Sequence, residues 1–485
     1  MAVYRPKLNM TAGQTYTFDV SHTSNATHPF RFTSDSGSTE YTTGVIVNGT
    51  HGQAGATVSF TPNADGPSVL HYYCTAHGLG MGNKIEVSGL NVFQKQYTMA
   101  NPNAYGTPAN DTFGLPVSVS NTHFIVGAYQ EDDNSGAPGE PYPGSGSGKA
   151  YIYNNSNGNL LYTLNNPNQY STSSFDHFGS SVGLSSLYAV VGAYRDQNTS
   201  QYKPGSAYIF NLSDGTKKHT LVNPSANSNT YLNVEQKFGH AADINNTYAL
   251  VSAIGQAGGK AYVFNTSNGS VAYTLDNPNA YGTATGDEFG KSVSMSDTYA
   301  IIGAPSEGDA GGNQSGKAYV YTISPSFSQT YTLNNPNPDN SAASDMFGIA
   351  VGVSNTHAIV SSTYEDDSDG TNDDGKAYIY DLSDGSLLHT LNNPGTGTQF
   401  GYEVDIDSNY AVVSSIYENN SGAAYVFKVS DGSLVQTLSN PSGQSSSYFG
   451  YGASIGGGKI GVGAPYYDDS AGNTSAGIAY LYSSS

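Results

Sequence analysis

Short apolar segments run along the whole chain, separated by clusters of Gly, Asn, Asp and Ser, and no segment has helical periodicity over ten residues. In the repeat that opens at Phe289, FGKSVSMS alternates apolar and polar residues, and DTYAIIGAP, SGKAYVYTI and QTYTLNNPN follow it. Segments of this length and composition predict four β-strands. We therefore expect an all-β protein.

Two dipeptides recur with this pattern. Phe-Gly begins at Phe113, Phe178, Phe238, Phe289, Phe347, Phe400 and Phe449. Asn-Pro begins at Asn101, Asn166, Asn223, Asn277, Asn335, Asn393 and Asn440, with an extra copy at Asn337 directly after the fifth. Successive Phe-Gly pairs lie 49 to 65 residues apart, which is typical of a four-stranded propeller blade rather than of a helical solenoid.

The register of the repeats is circular. The first Asn-Pro precedes the first Phe-Gly, and the last repeat stops after three strands, whereas FQKQYTMAN from Phe93 to Asn101 has the pattern of the missing strand. Pairing of the two ends would remove exposed sheet edges. The sequence thus predicts a seven-bladed β-propeller over residues 89–485, with the outer strand of its last blade supplied by about residues 93–101.

Residues 1–88 have a different pattern and predict a second domain. QTYTFDVSH, ATHPFRFTS, ATVSFTPN, SVLHYYC and NKIEVSG read as strands. The segment HYYCTAHGLGMG contains Cys74, His77 and Met81, and His28 lies upstream. Two imidazoles, a thiolate and a thioether are the ligands of a type 1 copper site. The alternative is a domain without metal, in which Cys74 is a buried apolar thiol.

Charge and composition exclude several functions. The chain has 17 basic and 38 acidic residues, a net charge of −21, which argues against nucleic acid or an anionic membrane as partner. A single cysteine excludes an intrachain disulfide. The sequence has no apolar segment of signal-peptide or membrane-spanning length, and no Gly-x-Ser-x-Gly, His-Glu-x-x-His or phosphate-loop motif. We therefore expect neither membrane insertion nor catalysis.

The repeats resemble the FG-GAP repeats of integrin-type β-propellers. VGA begins at Val126, Val191 and Val462, and GKAY recurs at Gly148, Gly259, Gly316 and Gly375. The resemblance implies the fold and leaves the function open, since propellers serve as lectins, enzymes and scaffolds. One departure is clear: the calcium loop that the family often carries between its first two strands is replaced by short connections such as SNTH and SDTY.

Acidic clusters instead follow the second strand of several repeats. Calcium requires several converging oxygens, so these clusters are candidate calcium or contact loops; the alternative is solvated loops that keep a charge-poor protein soluble. The residues are Asp132, Asp133, Asp366, Asp367, Asp369, Asp468 and Asp469. The longest loop, from Gln130 to Gly148, is the expected place of contact with a partner.

Residues 1–88 resemble the cupredoxins, including plastocyanin-like proteins, which implies a Greek-key sandwich. The resemblance places His28 as first imidazole, Cys74 as thiolate, His77 as second imidazole and Met81 as axial ligand. The short gap between His77 and Met81, and a proline after His28 rather than before it, depart from the better-known members. HPFRFTS, EYTTGVIVNGTHGQAGATVSFTP and LHYYCTAHGLGMG also look like cupredoxin-like modules of marine bacteriophage structural proteins.

These resemblances favour a non-enzymatic virion structural or receptor-binding protein, such as a tail-fibre, tail or capsid-surface component. Its partners would be other virion proteins or a host surface receptor or glycan, and its location the virion surface. An exported, extracellular cell-surface adhesin is a second interpretation. A copper protein that transfers electrons is a third.

Overall fold

A computed structural model describes residues 6–34, 39–63, 66–67, 69–89, 92–103, 108–132, 146–168, 175–197, 203–226, 235–256, 258–279, 286–308, 315–336, 345–365 and 374–484. The chain divides into two compact units, of which the first runs to Gln94 and the second from Lys95 to Ser484. Within the described ranges, no helix has the length and apolar character needed to cross a membrane.

The described part of the first unit contains seven strands and one 3₁₀ helix. They are β1 (Leu8–Thr11), β2 (Tyr16–Asp19), η1 (Thr23–Ala26), β3 (Phe30–Thr33), β4 (Val45–Asn48), β5 (Thr57–Phe60), β6 (Val69–Cys74) and β7 (Gly78–Ser88). One sheet has the order β1-β7-β6-β3 and the other β2-β5-β4. Phe32 and Phe60, one from each sheet, are buried with ring centroids 4.6 Å apart, so the two sheets share one apolar core.

After β7 the described part of the chain continues as further β-strands. They are β8 (Phe93–Ala100), β9 (Val117–Val119), β10 (His123–Ala128), β11 (Lys149–Asn154), β12 (Leu160–Asn165), β13 (Phe178–Leu184), β14 (Tyr188–Ala193), β15 (Ser206–Asn211), β16 (Lys217–Val222), β17 (Phe238–Ile244), β18 (Tyr248–Ala253), β19 (Lys260–Asn265), β20 (Val271–Asp276), β21 (Val293–Met295), β22 (Tyr299–Ala304), β23 (Lys317–Thr322), β24 (Ser328–Asn334), β25 (Val351–Val353), β26 (His357–Ser362), β27 (Lys376–Asp381), β28 (Leu387–Asn392), β29 (Phe400–Ile406), β30 (Tyr410–Ser415), β31 (Ala423–Lys428), β32 (Leu434–Ser439), β33 (Gly452–Gly456), β34 (Lys459–Ala464) and β35 (Ile478–Ser484). A second 3₁₀ helix is η2 (Glu418–Asn420).

In the residues that the structure describes, strands β8 to β35 form seven four-stranded antiparallel sheets. Six consist of consecutive strands, from β9-β10-β11-β12 to β29-β30-β31-β32, and the seventh has the order β33-β34-β35-β8. The early strand β8 therefore supplies the outer edge of the last sheet. We number the sheets one to seven by their first strands, β9, β13, β17, β21, β25, β29 and β33.

These first strands pack against one another in sequence, and β33 packs against β9. Apolar clusters fill the space between neighbouring sheets; one contains Phe113 and Val117 of the first repeat together with Ala479 and Leu481 of the last. Many four-stranded sheets arranged in this cycle fit a β-propeller.

Each Phe-Gly pair anchors one sheet. The seven phenylalanines have no exposed surface, and the seven glycines have φ between +89° and +105°, a conformation that L side chains rarely adopt. At Gly179, an added Cβ would lie 2.2 Å from the carbonyl oxygen of Lys149. Both residues recur because each sheet requires a buried aromatic side chain, and the residue after it must adopt a positive φ that glycine tolerates best.

The first strands enclose a central cavity of about 580 Å³. Its wall includes residues of all seven sheets, among them Val117, Val182, Asp243, Ser294 and Glu403. Residues at equivalent positions of different repeats therefore line the same cavity.

Candidate functional site

Strand pairing brings together three of the four predicted copper ligands. Phe30 of β3 pairs with Cys74, the last residue of β6, so His28, two residues before Phe30, lies beside that end of the strand. A tight turn returns the chain from Cys74 to Gly78, which pair at the start of β7, and the amide of His77 donates to the carbonyl of Cys74 at 3.1 Å. The turn thus holds His77 next to the same thiol.

The three ligand atoms form a small triangle. The Cys74 sulfur lies 3.7 Å from Nδ1 of His28 and 3.7 Å from Nδ1 of His77, and the two nitrogens are 3.2 Å apart. The centre of this triangle is about 2 Å from each atom, close to the length of a metal–imidazole bond and about 0.3 Å shorter than a metal–thiolate bond. Within the described ranges, these residues are the one group of three or more His, Cys, Asp or Glu with metal-binding geometry.

Burial differs across the triangle. Cys74 is buried, with 4% of its surface exposed, His28 is half-buried, and His77 is exposed. The imidazole rings stack at 4.8 Å. A metal here would be held from inside by sulfur and would have one imidazole edge open to solvent. Met81 lies half-buried on β7, and its role as axial ligand stays a prediction.

Other histidines of the first unit have different surroundings. His22 caps η1, where its Nδ1 accepts from the amide of Ser24. His51 contacts the Arg31 guanidinium at 3.2 Å, and burial together with that charge lowers the pKa of His51. His71 is half-buried on β6, and its Nδ1 has no described hydrogen-bond partner. These residues stand outside the triangle.

The acidic loops lie only partly within the described residues. Asp133, Asp366, Asp367 and Asp369 fall outside them, as does most of the loop from Gln130 to Gly148. The carboxylates that are described serve as turn acceptors: Asp132 accepts from the amide of Gly146, Asp468 from that of Ser475, and Asp469 from those of Ala471 and Asn473. Calcium binding at these loops stays a prediction.

A buried polar network, which the sequence analysis did not find, recurs in the sheets. In the first sheet, the side-chain amide of Asn101, from the Asn-Pro pair, donates to Asp111 at 2.8 Å. The Tyr151 hydroxyl donates to Glu131 at 2.6 Å, and the Lys149 ammonium lies 3.3 Å from the same carboxylate. Equivalent amide–carboxylate bonds are Asn166–Asp176, Asn277–Asp287 and Asn335–Asp345.

Burial raises the pKa of aspartates in this network. Burial first and the charge of Glu131 second raise the pKa of Asp111 to about 7. Burial, followed by the charge of Asp196, likewise raises the pKa of Asp176 to about 7. In each of these repeats the carboxyl group of the Asp before Phe-Gly accepts from an asparagine ten residues upstream. The constant spacing between the two was the signal that could have revealed this contact.

Comparison with known families finds the FG-GAP repeat in five segments, residues 104–153, 171–210, 279–321, 337–380 and 390–427. No curated protein matches the chain. The third and seventh sheets lie outside the five segments, and they differ from the others at one position, three residues after the second strand. There they carry Gln256 and Tyr467, whereas the five matched repeats carry a carboxylate.

The third sheet keeps the network with amides in place of carboxyl groups. Asn223 donates to Gln236 at 2.8 Å, Gln256 donates to Asn223 at 3.0 Å, and the Tyr262 hydroxyl donates to Gln256 at 2.8 Å. Hydrogen bonding rather than charge is therefore what the network requires, so these carboxyl groups have a structural explanation. FG-GAP repeats of β-propellers are typically non-catalytic binding modules.

Proposed function

We propose that this chain is a non-enzymatic binding protein, a seven-bladed β-propeller preceded by a cupredoxin-like domain, that acts at a virion surface. The observation that carries the binding role is the set of five FG-GAP segments on a cycle of four-stranded sheets. FG-GAP repeats occur in adhesion and binding proteins, and a ring whose sheets are held by buried networks is a rigid support for variable loops. The partner would be another virion protein, a host receptor or a glycan.

The location on a virion rests on the likeness of residues 1–88 to modules of marine bacteriophage structural proteins. It requires the protein to co-purify with washed particles in a fixed ratio to the major capsid protein. Recovery only from host membranes or culture supernatant would favour the exported adhesin instead. Recovery from neither would contradict both locations.

We further propose copper binding at His28, Cys74 and His77, with Met81 as the axial ligand. The supporting observation is the triangle of ligand atoms, whose size and donor set suit a first-row metal with one thiolate and two imidazole ligands. Copper bound there would supply either a one-electron couple or a fixed crosslink. His28 would tie β3, and Cys74 and His77 the turn between β6 and β7, to the same point.

The test of the metal site is a Cu(II) titration of the full chain followed by visible absorption. We expect an intense thiolate-to-copper band that saturates at one equivalent and is lost in Cys74→Ser. His71→Gln is the matched control, since His71 lies on the same strand three residues before Cys74, and it should keep the band. No band in the wild-type protein, or a band that survives in Cys74→Ser, would refute the site.

Met81→Leu separates the axial ligand from the other three. If Met81 binds axially, the variant should keep the band at one equivalent but shift its position and the reduction potential. An unchanged spectrum and potential would remove Met81 from the ligand set without affecting the triangle. A reversible one-electron couple of the copper-loaded chain that is lost in Cys74→Ser would support electron transfer, and protection against urea without such a couple would support a crosslinking role.

A further inference from the structure

Aromatic side chains gather around one part of the second unit although they come from five repeats. They occupy three positions of the repeat: directly before Phe-Gly, directly after it, and just after the second strand. We name this set the aromatic arc, and it consists of Tyr129, His177, Tyr194, His240, Tyr402, Tyr417, Tyr448, Tyr451 and Tyr466.

Ring contacts connect the arc. On one side, His177 lies 5.2 Å from Tyr129 and 5.2 Å from Tyr194, and Tyr194 lies 5.8 Å from His240. Tyr129 belongs to the first repeat and Tyr466 to the seventh, and the sheets of these two repeats pack against each other through β9 and β33. The two halves of the arc therefore lie on neighbouring sheets.

On the other side, Tyr451 lies 4.6 Å from Tyr402 and 5.8 Å from Tyr466. Tyr448 lies 5.4 Å from Tyr466 and 5.5 Å from Tyr417. Tyr417 is 40% exposed, and the other tyrosines of the arc are half-buried. The tyrosine rings of the arc therefore keep contact with solvent, whereas His177 is buried.

The backbone around the arc is held in an unusual conformation. All seven residues directly before Phe-Gly have φ between +51° and +60°, and none is glycine. A left-handed residue with a side chain is uncommon and costs about 1–2 kcal/mol. Such strain is often found at binding sites. Here it sets the direction of His177 and Tyr448, two members of the arc.

The arc borders the central cavity, whose wall includes His240, Tyr402 and Tyr451. Further along the same strands the wall carries Glu403 and Asp405. Asp405 accepts from the amide of Ile455 at 2.8 Å, across to the next sheet. In the described part of the chain the Glu403 carboxylate accepts no hydrogen bond, although it faces the cavity.

Charge selects the kind of ligand. The wall carries three carboxyl groups, of Asp243, Glu403 and Asp405, and one ammonium, of Lys291, which lies 3.9 Å from Glu288. Burial, with the Lys291 charge, lowers the pKa of His240 to about 3, so that His240 is neutral near pH 7. Burial, followed by the charge of Asp405, raises the pKa of Glu403 to about 8, so this carboxyl group is largely protonated near pH 7 and ionises when the pH rises or when a cation lies beside it. Ionised carboxylates and the negative faces of tyrosine rings both attract cations.

We propose that the aromatic arc and the cavity below it bind an organic cation of the quaternary ammonium class. Tyr402 and Tyr451 would face the methyl groups, and Glu403 would supply the opposite charge. The volume of about 580 Å³ is within the range of small-molecule sites. The site lies in the ring and not on its long loops, so this inference goes beyond the proposed function and stands without it.

Isothermal titration of the full chain with choline at about pH 9, above the raised pKa of Glu403 of about 8, tests the inference, with 3,3-dimethylbutan-1-ol as an uncharged analogue of the same shape. We expect choline to bind at least about tenfold more tightly than the alcohol, because only choline gains from the rings and the carboxylate. Equal affinities, or no choline binding at about 50 mM, a ceiling set by the weak affinities of small ligands, would overturn the proposal. Preference for neutral monosaccharides over choline would overturn it as well.

Variants separate the two contributions. Glu403→Gln keeps the shape of the side chain and should weaken choline by about tenfold with no effect on the alcohol. Tyr451→Leu should weaken choline by about fivefold, whereas Tyr451→Phe, which keeps the ring, should retain most of the affinity. Glu86→Gln, at an exposed ion pair of the first unit, is the matched control and should bind as wild type. Equal losses in Glu403→Gln and Glu86→Gln would contradict the assignment.

Vesicles of phosphatidylcholine separate a free cation from a lipid headgroup. Binding of choline without binding of vesicles assigns a free solute, and binding of both assigns the headgroup as well. Circular dichroism of each variant establishes that the ring is folded. The expected outcome for Tyr451→Phe and Glu403→Gln is a native spectrum, because neither changes the volume of the wall appreciably.

Discussion

The substitution Asp111→Asn should remove part of the pH dependence of the free energy of unfolding of the propeller-like unit. Asp111 is 3% exposed, and its carboxylate accepts from the Asn101 amide at 2.8 Å. Burial and then the charge of Glu131 raise the pKa of Asp111 from its ordinary 3.8 to about 7. The third sheet carries Gln236 in the equivalent bond, so an amide at this position is compatible with the fold.

The sign follows from proton binding. Between about pH 4 and pH 7 the folded chain holds a proton on Asp111 that the unfolded chain has released. The contribution of Asp111 to the free energy of unfolding is therefore fully present below about pH 4 and is lost as the pH rises through about 7. One proton over one pH unit corresponds to about 1.4 kcal/mol. The full window amounts to about 4 kcal/mol, and relaxation around the charge would reduce this to about 2–4 kcal/mol. The amide that replaces this carboxyl group in the variant does not titrate and escapes the loss.

The assay is urea unfolding of wild type and Asp111→Asn at pH 5, 6, 7 and 8, followed by far-ultraviolet circular dichroism. We expect the free-energy difference between the two proteins to move in favour of the variant as pH rises. Burial lowers the pKa of His177 to about 4 and that of His240 to about 3; these opposing contributions occur in both proteins and cancel in the difference. Parallel pH profiles would refute the reasoning.

Asp297→Asn is the matched control for this experiment. Asp297 is exposed in the turn between β21 and β22, so its substitution should leave the profile of the wild type unchanged. A slope in this control equal to that of Asp111→Asn would show that the effect is one of overall charge. The buried carboxyl group would then not be its origin.

Two further substitutions test how the ring is held. Gly179→Ala should lower the free energy of unfolding by more than about 4 kcal/mol or prevent folding, because the new Cβ would lie 2.2 Å from the Lys149 carbonyl oxygen. Gly472→Ala, at φ +87° with no atom within 4 Å, should lower it by only about 1–2 kcal/mol. Equal urea midpoints for the two variants would contradict the packing argument. Met99→Ala removes a side chain of β8 that is 3% exposed and should cost about 2–5 kcal/mol; an unchanged midpoint would mean that β8 contributes nothing to the stability of the ring.

Repetition made the ring predictable from the sequence. Phe-Gly meets two requirements at once, a fully buried aromatic side chain and a residue with φ near +90°, and the same pair recurs in all seven repeats. The circular register followed from the same markers, and the sheet order has β8 beside β35. The grouping of His28 with Cys74 and His77 was inferred from ligand chemistry, and β3–β6 pairing supplies the contact.

The buried network could not be derived from any one repeat. Asn-Pro marks the repeats in the sequence, and in the structure its asparagine donates to a buried carboxyl group, for example from Asn101 to Asp111. The two residues belong to a loop whose path the sequence does not specify. Because Gln236 and Gln256 replace the acids in the third sheet, the constant element is a hydrogen-bond geometry, which residue type alone does not reveal.

A site at the centre of a ring is hidden from repeat analysis for a physical reason. The residue before Phe-Gly has a left-handed φ in all seven repeats, while its residue type differs from repeat to repeat. His177 and Tyr448 hold equivalent positions without resembling each other, and neither belongs to a motif. The side chains that form such a binding surface are those that differ from one repeat to the next. The residues that determine what this ring binds should therefore be sought where the repeats share a conformation and not a sequence.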